Sequence, residues 1–391
     1  MIMKLITEEK EYLNSVREFC QKEIYPNISK WEKQGNVDDS LFQKAGTLGY
    51  LGLQHPEEYG GSNASFLLSI LAQKEVAKVH GSSFFTLGAS AGLFGYPIKY
   101  FGTESQKEKY LPPIIRGKKI GCLAVTEPEA GSDVMACKSK VYHKNGKLVL
   151  SGSKTFITNA PIADYAIVLA QYHSDANKGL THFIVDLHQN GVTRGEPMKK
   201  MGLKASPTGE LFFDEVELTE DCILGKVGAG FRQTMQAFNL ERLSLSTWCV
   251  GVMEAAYEEA KQYAKIRKTF GKPIYRHPPV AELLAEMALL LMASKNWLVT
   301  TANLMDELLQ QGKAIFAASS DCAALKLFCS RNAREVTNLA VQIFGGAGYL
   351  EESTVCRLYQ DIRLAEIGGG TNEIQKQIIA RGVIQDKFLD L

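Results

Sequence analysis

A double change in hydrophobic periodicity constrains the fold of this chain more than any other feature. Before about residue 120, apolar residues such as Tyr12 and Val16 recur at three- and four-residue steps, as on one face of a helix. The middle of the chain then alternates with a period of two, which is typical of strands, and the helical period returns afterwards. Helical layers that flank a small β domain form an α+β arrangement. The predicted domains are 1–120, 121–226 and 227–391.

The middle segment contains four short runs rich in β-branched and aromatic residues. Turn residues such as Asn145-Gly146 and Asn190-Gly191 lie between the runs, and no long helical pattern separates them. This spacing predicts an antiparallel or barrel-like sheet rather than a βαβ array. The runs are Lys147–Leu150, Tyr165–Leu169, His182–Val185 and Leu211–Phe213.

Local signals place helices in the two flanking segments. Thr103 can accept a hydrogen bond from the Gln106 amide while the Gln106 side chain reaches back, which is a capping box. The apolar spacing predicts helices over Asn63–His80 and Pro97–Phe101, and Leu283–Leu309 carries a dense apolar stripe.

Charge and cysteine content exclude several classes of function. The chain has 44 Lys and Arg against 43 Asp and Glu, so no basic excess predicts a nucleic-acid partner. The 8 cysteines are scattered, with no C-x-x-C pair and no histidines at metal spacing. We therefore expect reduced, mostly buried thiols and no metal site.

The N-terminus has the features of neither a signal nor a transit peptide. Met1–Lys10 contains no long apolar region and turns acidic at once. The longest apolar stretches are interpreted as too short or too interrupted to span a bilayer. We therefore expect a soluble, cytoplasmic protein with no membrane partner.

Two neighbouring motifs combine groups that suit a flat, anionic ligand. Ala124–Asp133 opens the β region, and its Gly131 amide and Ser132 hydroxyl could approach a phosphate or a polarised heterocycle. Taken alone, this segment is better explained as a turn rich in Asp, Gly and Pro. On a strand, Phe156 and Thr158 share one face, where the ring could stack on a flat ligand and the hydroxyl could bond its edge.

The ordered set of these motifs with four later blocks resembles the acyl-CoA dehydrogenase family over essentially the whole chain. The resemblance implies an N-terminal helical domain, a middle β domain and a C-terminal four-helix bundle. It further implies FAD as cofactor, a thioester substrate and commonly a homotetramer. The later blocks are Met201–Thr208, Arg267–Gly271, Gln342–Gly346 and Gly370–Ile374.

The resemblance also assigns residues to the cofactor. Those implied to lie at the flavin ring or the FAD and thioester tails are Leu123, Val125, Thr126, Gly131, Ser132, Phe156, Ile157 and Thr158. Those implied to reach the FAD of a neighbouring subunit are Arg267, Phe270, Gln342, Gly345 and Gly346, whereas Thr371 and Glu373 are implied to close over the cofactor.

The family places its general base at one of two positions. Removing a proton α to a thioester requires a base against the α carbon, and a carboxylate in an apolar cleft is suited to this. One position lies two residues before the Thr of the glycine loop, where this chain has Gly369. The other immediately precedes an Arg on the first long C-terminal helix, and here it is Glu241. The resemblance therefore implies Glu241 as base, as in the isovaleryl-CoA and long-chain branch.

The same resemblance implies how the substrate is held. Burial is expected to raise the pKa of Glu241 toward the working pH. The Gly369 amide and a ribityl hydroxyl are implied to donate to the thioester carbonyl. The residues implied to contact substrate are Ser132, Asn239, Arg242, Gly368 and Gly369.

Three departures from the family pattern affect details of binding. Phe156 stands where many relatives have Trp, and Asn239 stands where they often have Asp. Arg276–Pro279 replaces a segment that usually offers a Gln to the partner's cofactor. A carrier-protein-bound prolyl thioester therefore stays open as an alternative to acyl-CoA. The electron acceptor is expected to be an electron-transfer flavoprotein or dioxygen.

Readings from other classes rest on weaker signals. Gly88–Gly92 fits the G-x-S-x-G pattern of a serine hydrolase with Ser90 as nucleophile, and Ser82–Leu87 could precede it as a strand. A non-catalytic relative is disfavoured because Glu241 is retained. A nicotinamide dehydrogenase is disfavoured because no G-x-G-x-x-G follows a clear strand.

Overall fold

Helices build the N-terminal part of the protein, whose computed structural model describes residues 5–173 and 178–388. The apolar steps seen in the sequence are buried, as Val16 and Phe19 show in the first helix. The capping box is formed, because the Gln106 amide donates to Thr103 Oγ1 at 3.2 Å and the Thr103 amide donates to Gln106 Oε1 at 3.0 Å. The helices are α1 (Thr7–Phe19), α2 (Ile28–Gln34), α3 (Ser40–Thr47), α4 (Phe66–Val79), α5 (Gly81–Gly88), α6 (Gly95–Phe101) and α7 (Glu104–Ile115).

A sheet follows, and each of the four predicted β-rich runs lies inside one of its longer strands. In the described residues the strand order is β6-β7-β3-β2-β4-β5-β8, with β1 also paired to β4. The strands are β1 (Gly121–Ala124), β2 (Lys140–Lys144), β3 (Lys147–Thr158), β4 (Tyr165–His173), β5 (Lys178–Asp186), β6 (Val192–Arg194), β7 (Thr208–Leu218) and β8 (Ile223–Leu224).

The prediction of an antiparallel sheet is wrong for two strand pairs. Strands β1 and β2 both run parallel to β4, with Gly121 opposite Tyr165 and Lys140 opposite Gln171. Because β5 occupies the other edge of β4 along its whole length, β1 and β2 lie end to end on one edge. The chain between them, residues 125–139, therefore loops out of the sheet at a gap between two collinear strands.

Long helices return after the sheet and pack around α10. Helix α10 contacts α8, α9, α11 and α12, and α8 also packs against α4 of the N-terminal part. Trp248 of α8 is fully buried and meets Phe85 edge to face at 4.7 Å. The elements are α8 (Gly230–Ile266), β9 (Lys268–Thr269), β10 (Lys272–Pro273), α9 (Pro278–Gln310), α10 (Ser319–Phe344), α11 (Thr354–Ile362) and α12 (Asn372–Ile384).

Helix α9 is longer and more apolar than the sequence analysis predicts for any segment of the chain. Within residues 5–173 and 178–388 it is the one helix long and apolar enough to cross a membrane, and 17% of its apolar stretch is buried. The expectation that no apolar stretch has that length is therefore wrong. The criterion covers length and composition alone, which core helices of other proteins also meet, so it is weak evidence for a membrane span.

The Met201–Thr208 block joins the three parts of the fold. The Leu203 amide donates to Asp361 of α11 at 2.5 Å, and the Ala205 amide donates to Glu32 of α2 at 3.3 Å. A Cβ placed on Gly202 would lie 2.6 Å from the Asp361 backbone. This block therefore serves packing between the sheet and both helical parts.

We expect Gly202→Ala to lower the free energy of unfolding by about 1–3 kcal/mol, because its methyl group forces the α11 backbone to move. Chemical denaturation measures the change. Gly88→Ala is the matched control, since a Cβ at that helical position meets nothing within 4 Å. Equal stability of Gly202→Ala and the native protein would contradict this packing role.

Candidate active site

The loop between β1 and β2 is fixed by a buried ion pair. Lys154 Nζ lies 2.7 Å from Glu127 Oε1, with both side chains almost fully buried. The amides of Lys138 and Ser139 donate to the same carboxylate at 2.6 and 3.0 Å. Burial raises the pKa of Glu127, but Lys154 and these donors outweigh it and leave the pKa at about 2. The loop therefore has a defined conformation at its base.

The tip of this loop is exposed and has little side-chain bulk. Gly131 and Ser132 are exposed, and a Cβ on Gly131 would meet nothing within 4 Å. Packing within the chain therefore gives no reason for a glycine at this position. Close approach of a group from outside the chain is a sufficient reason.

The start of the loop lies against the sheet. Leu123 and Val125 are buried, and Thr126 is half-buried. The Thr126 carbonyl accepts a hydrogen bond from the Thr155 amide at 3.0 Å, which ties the loop to β3. These three predicted cofactor residues therefore continue the line of β1 next to β3.

Phe156 lies at a bulge in β3, so the regular strand assumed for it is interrupted. Lys154 pairs with Leu211 and Ile157 with Gly209, which leaves one extra residue on β3. Phe156 has a φ of 59° and is 67% exposed, whereas Ile157 points into the hydrophobic core. A left-handed conformation is strained for an aromatic residue, and such strain is often found at functional sites. The bulge, rather than simple alternation, directs the Phe156 ring outward.

An apolar cavity of about 120 Å³ lies between the N-terminal helices and α8. Thr158 at the end of β3 and Glu241 of α8 both line it, so the structure brings these two predicted residues to one cavity. Its apolar wall includes Leu51, Phe66, Ile70, Phe84, Phe85 and Leu240.

Glu241 is a carboxylate without hydrogen-bond donors in an apolar setting. It is half-buried, and across the described part of the chain no donor lies within hydrogen-bond distance of its oxygens. Burial raises its pKa to about 7, while the charges of Arg242 and Lys326 act in the opposite direction. A carboxyl group with this pKa can exchange a proton near neutral pH.

Gly369 lies against Glu241 and has no room for a side chain. A Cβ at this position would be 2.5 Å from Leu245 Cδ1 and 3.6 Å from Glu241 Cδ. Its φ of 62° also favours glycine. The two positions at which the sequence resemblance implies a base therefore lie next to each other in space, and here the α8 position is the one that carries a carboxylate.

The glycine loop, residues 368–370, is held by donors to its carbonyl oxygens. Gln375 Nε2 donates to the Gly369 and Gly370 carbonyls at 3.1 and 2.8 Å. Lys326 Nζ donates to the Gly370 carbonyl at 2.9 Å. In the part of the chain that the structure describes, the Gly369 amide has no acceptor. It therefore remains available to a substrate carbonyl.

The residues after this loop begin α12. Thr371 is its N-cap, since Thr371 Oγ1 accepts from the Ile374 amide at 3.3 Å. Glu373 is exposed in the first turn. The Thr371 hydroxyl thus has a structural task beside the cofactor role that the sequence predicts.

Asn239 and Arg242 form a buried pair one turn apart on α8. Arg242 Nη1 donates to Asn239 Oδ1 at 2.6 Å, and Asn239 Nδ2 donates to Ser319 Oγ at 2.7 Å. The Arg242 Nε is buried and has no partner within the described residues. Both predicted substrate residues are therefore already engaged with each other.

A second group of predicted cofactor residues lies far from the cavity. These residues are exposed near the far ends of α8 and α10, which are joined by stacking of Tyr263 on Phe344 at 4.1 Å. At 1.5 Å per residue, the end of α8 is roughly 39 Å from Glu241. The structure therefore does not bring this group to the cavity of its own chain. Its members are Arg267, Phe270, Gln342, Gly345 and Gly346.

Ser90 does not form a nucleophile elbow, so the serine hydrolase reading is wrong. The preceding residues belong to helix α5 rather than to a strand, and Ser90 is fully buried. Its Oγ accepts a hydrogen bond from the Gly121 amide at 3.0 Å. An elbow requires a strand followed by a sharp turn that exposes the hydroxyl. Ser90 instead anchors the start of β1.

Lys326 and Gln375 were missed by the sequence analysis, as was the Glu127–Lys154 pair. A signal for Lys326 was present, because it lies on one helical face with Cys322 and Cys329, both of which are buried. A lysine on an apolar face indicates a buried cation with a specific partner. The sequence gives no comparable signal for Gln375.

Comparisons with known proteins cover the whole fold. The family models for the acyl-CoA dehydrogenase N-terminal, middle and C-terminal domains match residues 7–118, 122–216 and 228–384. An acyl-CoA dehydrogenase of Bacillus subtilis (strain 168) is 37% identical over 378 residues, which cover 96% of this chain and 98% of that protein.

Solved structures agree with the sequence comparisons. Butyryl-CoA dehydrogenase from Megasphaera elsdenii superposes with a TM-score of 0.91 at 35% identity, covering 98% of this chain and 100% of that chain. The prolyl acyl carrier protein oxidase AnaB gives a TM-score of 0.89 at 28% identity, covering 97% and 100%. The family resemblance and the α+β fold predicted from the sequence are therefore confirmed.

We expect Glu241→Gln to stabilise the folded protein in a pH-dependent way. The folded pKa of about 7 exceeds the value near 4.5 of an unperturbed carboxyl, so ionising Glu241 opposes folding once the pH exceeds the unfolded value. The gain from a neutral amide should grow from under about 1 kcal/mol at pH 5 to about 3 kcal/mol at pH 8. Denaturation of both proteins across this range measures it.

Glu259→Gln makes the same change at an exposed position of α8 and should alter stability little at any pH. A Glu241→Gln gain that does not depend on pH would show that the carboxyl titrates normally.

Proposed function

Because this chain belongs to the acyl-CoA dehydrogenase family, we propose that it desaturates the Cα–Cβ bond of an acyl thioester with Glu241 as general base. Members of the family are oxidoreductases that act on the CH–CH group of acyl-CoA and use FAD. The observation that carries the proposal is that Gly369 lies against Glu241, whose side chain lines the apolar cavity. There the chain provides one carboxylate at the place where the family's chemistry requires it.

The residues at the cavity have separate tasks in this reaction. The Gly369 amide donates to the thioester carbonyl, which stabilises negative charge on that oxygen and acidifies the α C–H. Glu241 then removes the α proton. When bound, FAD supplies the acceptor for the hydride that leaves the β carbon. The apolar wall excludes water from the reacting carbons.

The residues around the bulge fit a flavin. The loop tip at Gly131 and Ser132 allows backbone amides to approach a phosphate or ring edge. Phe156 presents an exposed aromatic face, for which an indole is not required. Thr158 lines the same cavity as Glu241. These residues would hold the reactive ring beside the substrate.

The raised pKa of Glu241 supports its role as a base. A base whose pKa is about 7 is partly ionised at neutral pH and retains more affinity for a proton than an exposed carboxylate. We propose that the rate of proton removal rises through this pH range.

The exposed group at the ends of α8 and α10 supports a site completed by a second copy of the chain. Phe270 is 96% exposed although it is aromatic. Arg267 offers a planar guanidinium that suits a pyrophosphate oxygen. We propose that these residues reach the FAD of a neighbouring subunit in a homotetramer.

A carrier-protein-bound prolyl thioester is the second candidate substrate. The similarity to a prolyl acyl carrier protein oxidase favours it, because that protein shares the fold over almost the whole chain. Anaerobic reduction by matched CoA and carrier-protein thioesters separates the two. The acceptor is proposed to be an electron-transfer flavoprotein or dioxygen, and the proposed location is the cytoplasm.

We expect Glu241→Gln to retain FAD and to lose flavin bleaching by substrate by about 100-fold or more, the usual contribution of a general base. Stopped-flow absorbance under anaerobic conditions measures the rate. Glu259→Gln on the same helix should bleach like the native protein. Near-native bleaching by Glu241→Gln would refute the assignment of the base.

We expect Arg267→Ala to weaken FAD retention without unfolding the chain, because its exposed side chain makes no contribution to the core. Flavin released on gel filtration and the dissociation constant for FAD measure the effect, with about a tenfold loss expected for a lost charged contact. Arg331→Ala, at another exposed position of α10, is the control. Unchanged affinity in Arg267→Ala would exclude contact with FAD.

A further inference from the structure

Lys326 is a buried cation that no sequence motif assigns to the site. It lies on α10, is 1% exposed, and is among the largest fully buried side chains in the described residues. A charge removed from water lowers stability unless it is compensated by partners. The position of Lys326 therefore calls for a specific task.

Its ammonium group holds the glycine loop. Nζ donates to the Gly370 carbonyl at 2.9 Å and to Asn372 Oδ1 at 3.2 Å. Asn372 in turn accepts from Ser330 Oγ at 3.1 Å. Gly369 is the next residue before this anchor and lies against Glu241. The lysine thus fixes the backbone on which the free Gly369 amide depends.

The acceptors of Lys326 are neutral, so its charge acts through space on the carboxylates nearby. The groups that interact electrostatically with it are Glu241, Arg242 and Cys249 of α8, and Glu366 before the loop. The charge of Lys326 also contributes to lowering the pKa of the exposed Glu373 of α12.

Of these groups, Glu241 is the carboxylate whose charge remains unpaired. Glu366 is already bonded to Arg363 at 2.6 Å, and Arg242 carries the same charge as the lysine. Cys249 is buried, which raises the pKa of its thiol to about 12 and keeps it neutral. The anion that Lys326 can stabilise at the cavity is therefore Glu241.

We infer that Lys326 is a positioning residue, which fixes the Gly369 amide toward the thioester carbonyl and keeps Glu241 in the form that accepts a proton. The inference rests on the proposed function of Glu241. It adds a second condition for activity, since Lys326 must be protonated while Glu241 is not.

The two titrations define a narrow window of pH. Burial lowers the pKa of Lys326 to about 8, and burial raises the pKa of Glu241 to about 7. The rate of flavin bleaching should therefore rise near pH 7, as Glu241 ionises, and fall near pH 8, as Lys326 loses its proton. Because the groups interact, the two limbs belong to the pair.

Two substitutions separate the charge of Lys326 from its bulk. Lys326→Met removes the charge, so the rising limb should move to higher pH by about one unit or more, which is a loss of about fivefold or more at pH 7, and the falling limb should disappear. Lys326→Arg keeps its charge at every pH, so the rising limb should stay and the falling limb should disappear. Stopped-flow bleaching of the FAD-loaded protein from pH 6 to 9.5 measures both.

Lys74→Met is the matched control. Lys74 is also buried, but it pairs with Glu254 at 2.7 Å, away from the cavity. This variant should be less stable and yet keep both limbs of the profile in place. A uniform loss in Lys326→Met at every pH, with unmoved limbs, would reduce Lys326 to a structural residue and overturn the inference.

A stability measurement tests the same coupling without turnover. The gain from Glu241→Gln stops growing with pH once the folded carboxyl is fully ionised. In the Lys326→Met background that plateau should begin at least one pH unit higher than in the native background. An unmoved plateau would overturn the inference.

The pH at which this plateau begins also distinguishes a failure of the proposed function from a failure of the inference about Lys326. If no thioester bleaches the flavin of the native protein, the proposed function fails. The shift of the plateau would then still decide whether Lys326 acts on Glu241.

Discussion

The contact between Glu241 and the glycine loop is the constraint on which the rest of the site depends. A carboxyl group in an apolar cavity is unfavourable when ionised, and it keeps its proton affinity for that reason. Leu245 closes the space in which position 369 could carry a side chain. The loop therefore approaches α8 closely enough to place a free backbone amide beside the carboxylate. The carboxylate and the glycine loop meet here from elements far apart in the chain.

The sheet serves this contact by holding two irregular segments rigidly. The loop at residues 125–139 leaves the sheet between two collinear strands, and the Glu127–Lys154 pair fixes its base. The bulge at Phe156 turns an aromatic ring outward next to Thr158. Both features depart from regular strand geometry, and Thr158, two residues after Phe156, lines the cavity. Regular strand pairing on either side stabilises the sheet enough to hold these strained segments in place.

Much of the fold could be predicted because hydrophobic period and capping are local properties. The helix–sheet–helix order and the capping box at Thr103 follow from residues within a few positions of each other. The parallel pairing of β1 and β2 with β4 could not be predicted, because pairing partners are chosen by long-range packing. The bulge at Phe156 could not be predicted for a similar reason. The extra residue in β3 exists only relative to the pairing with β7, which is a long-range contact. The length of α9 was misjudged because isolated polar residues do not end a helix.

The sequence by itself determined the types of element, their order and the one family position that retains a carboxylate, Glu241. It could do so because these properties reside in residue identity and short spacing. The tertiary structure decided that Gly369 meets this residue, that the buried Lys326 bonds the neighbouring Gly370 carbonyl, and that Arg267 lies remote from them. Proton affinity depends on burial and on charges brought close by folding, so no local pattern contains it.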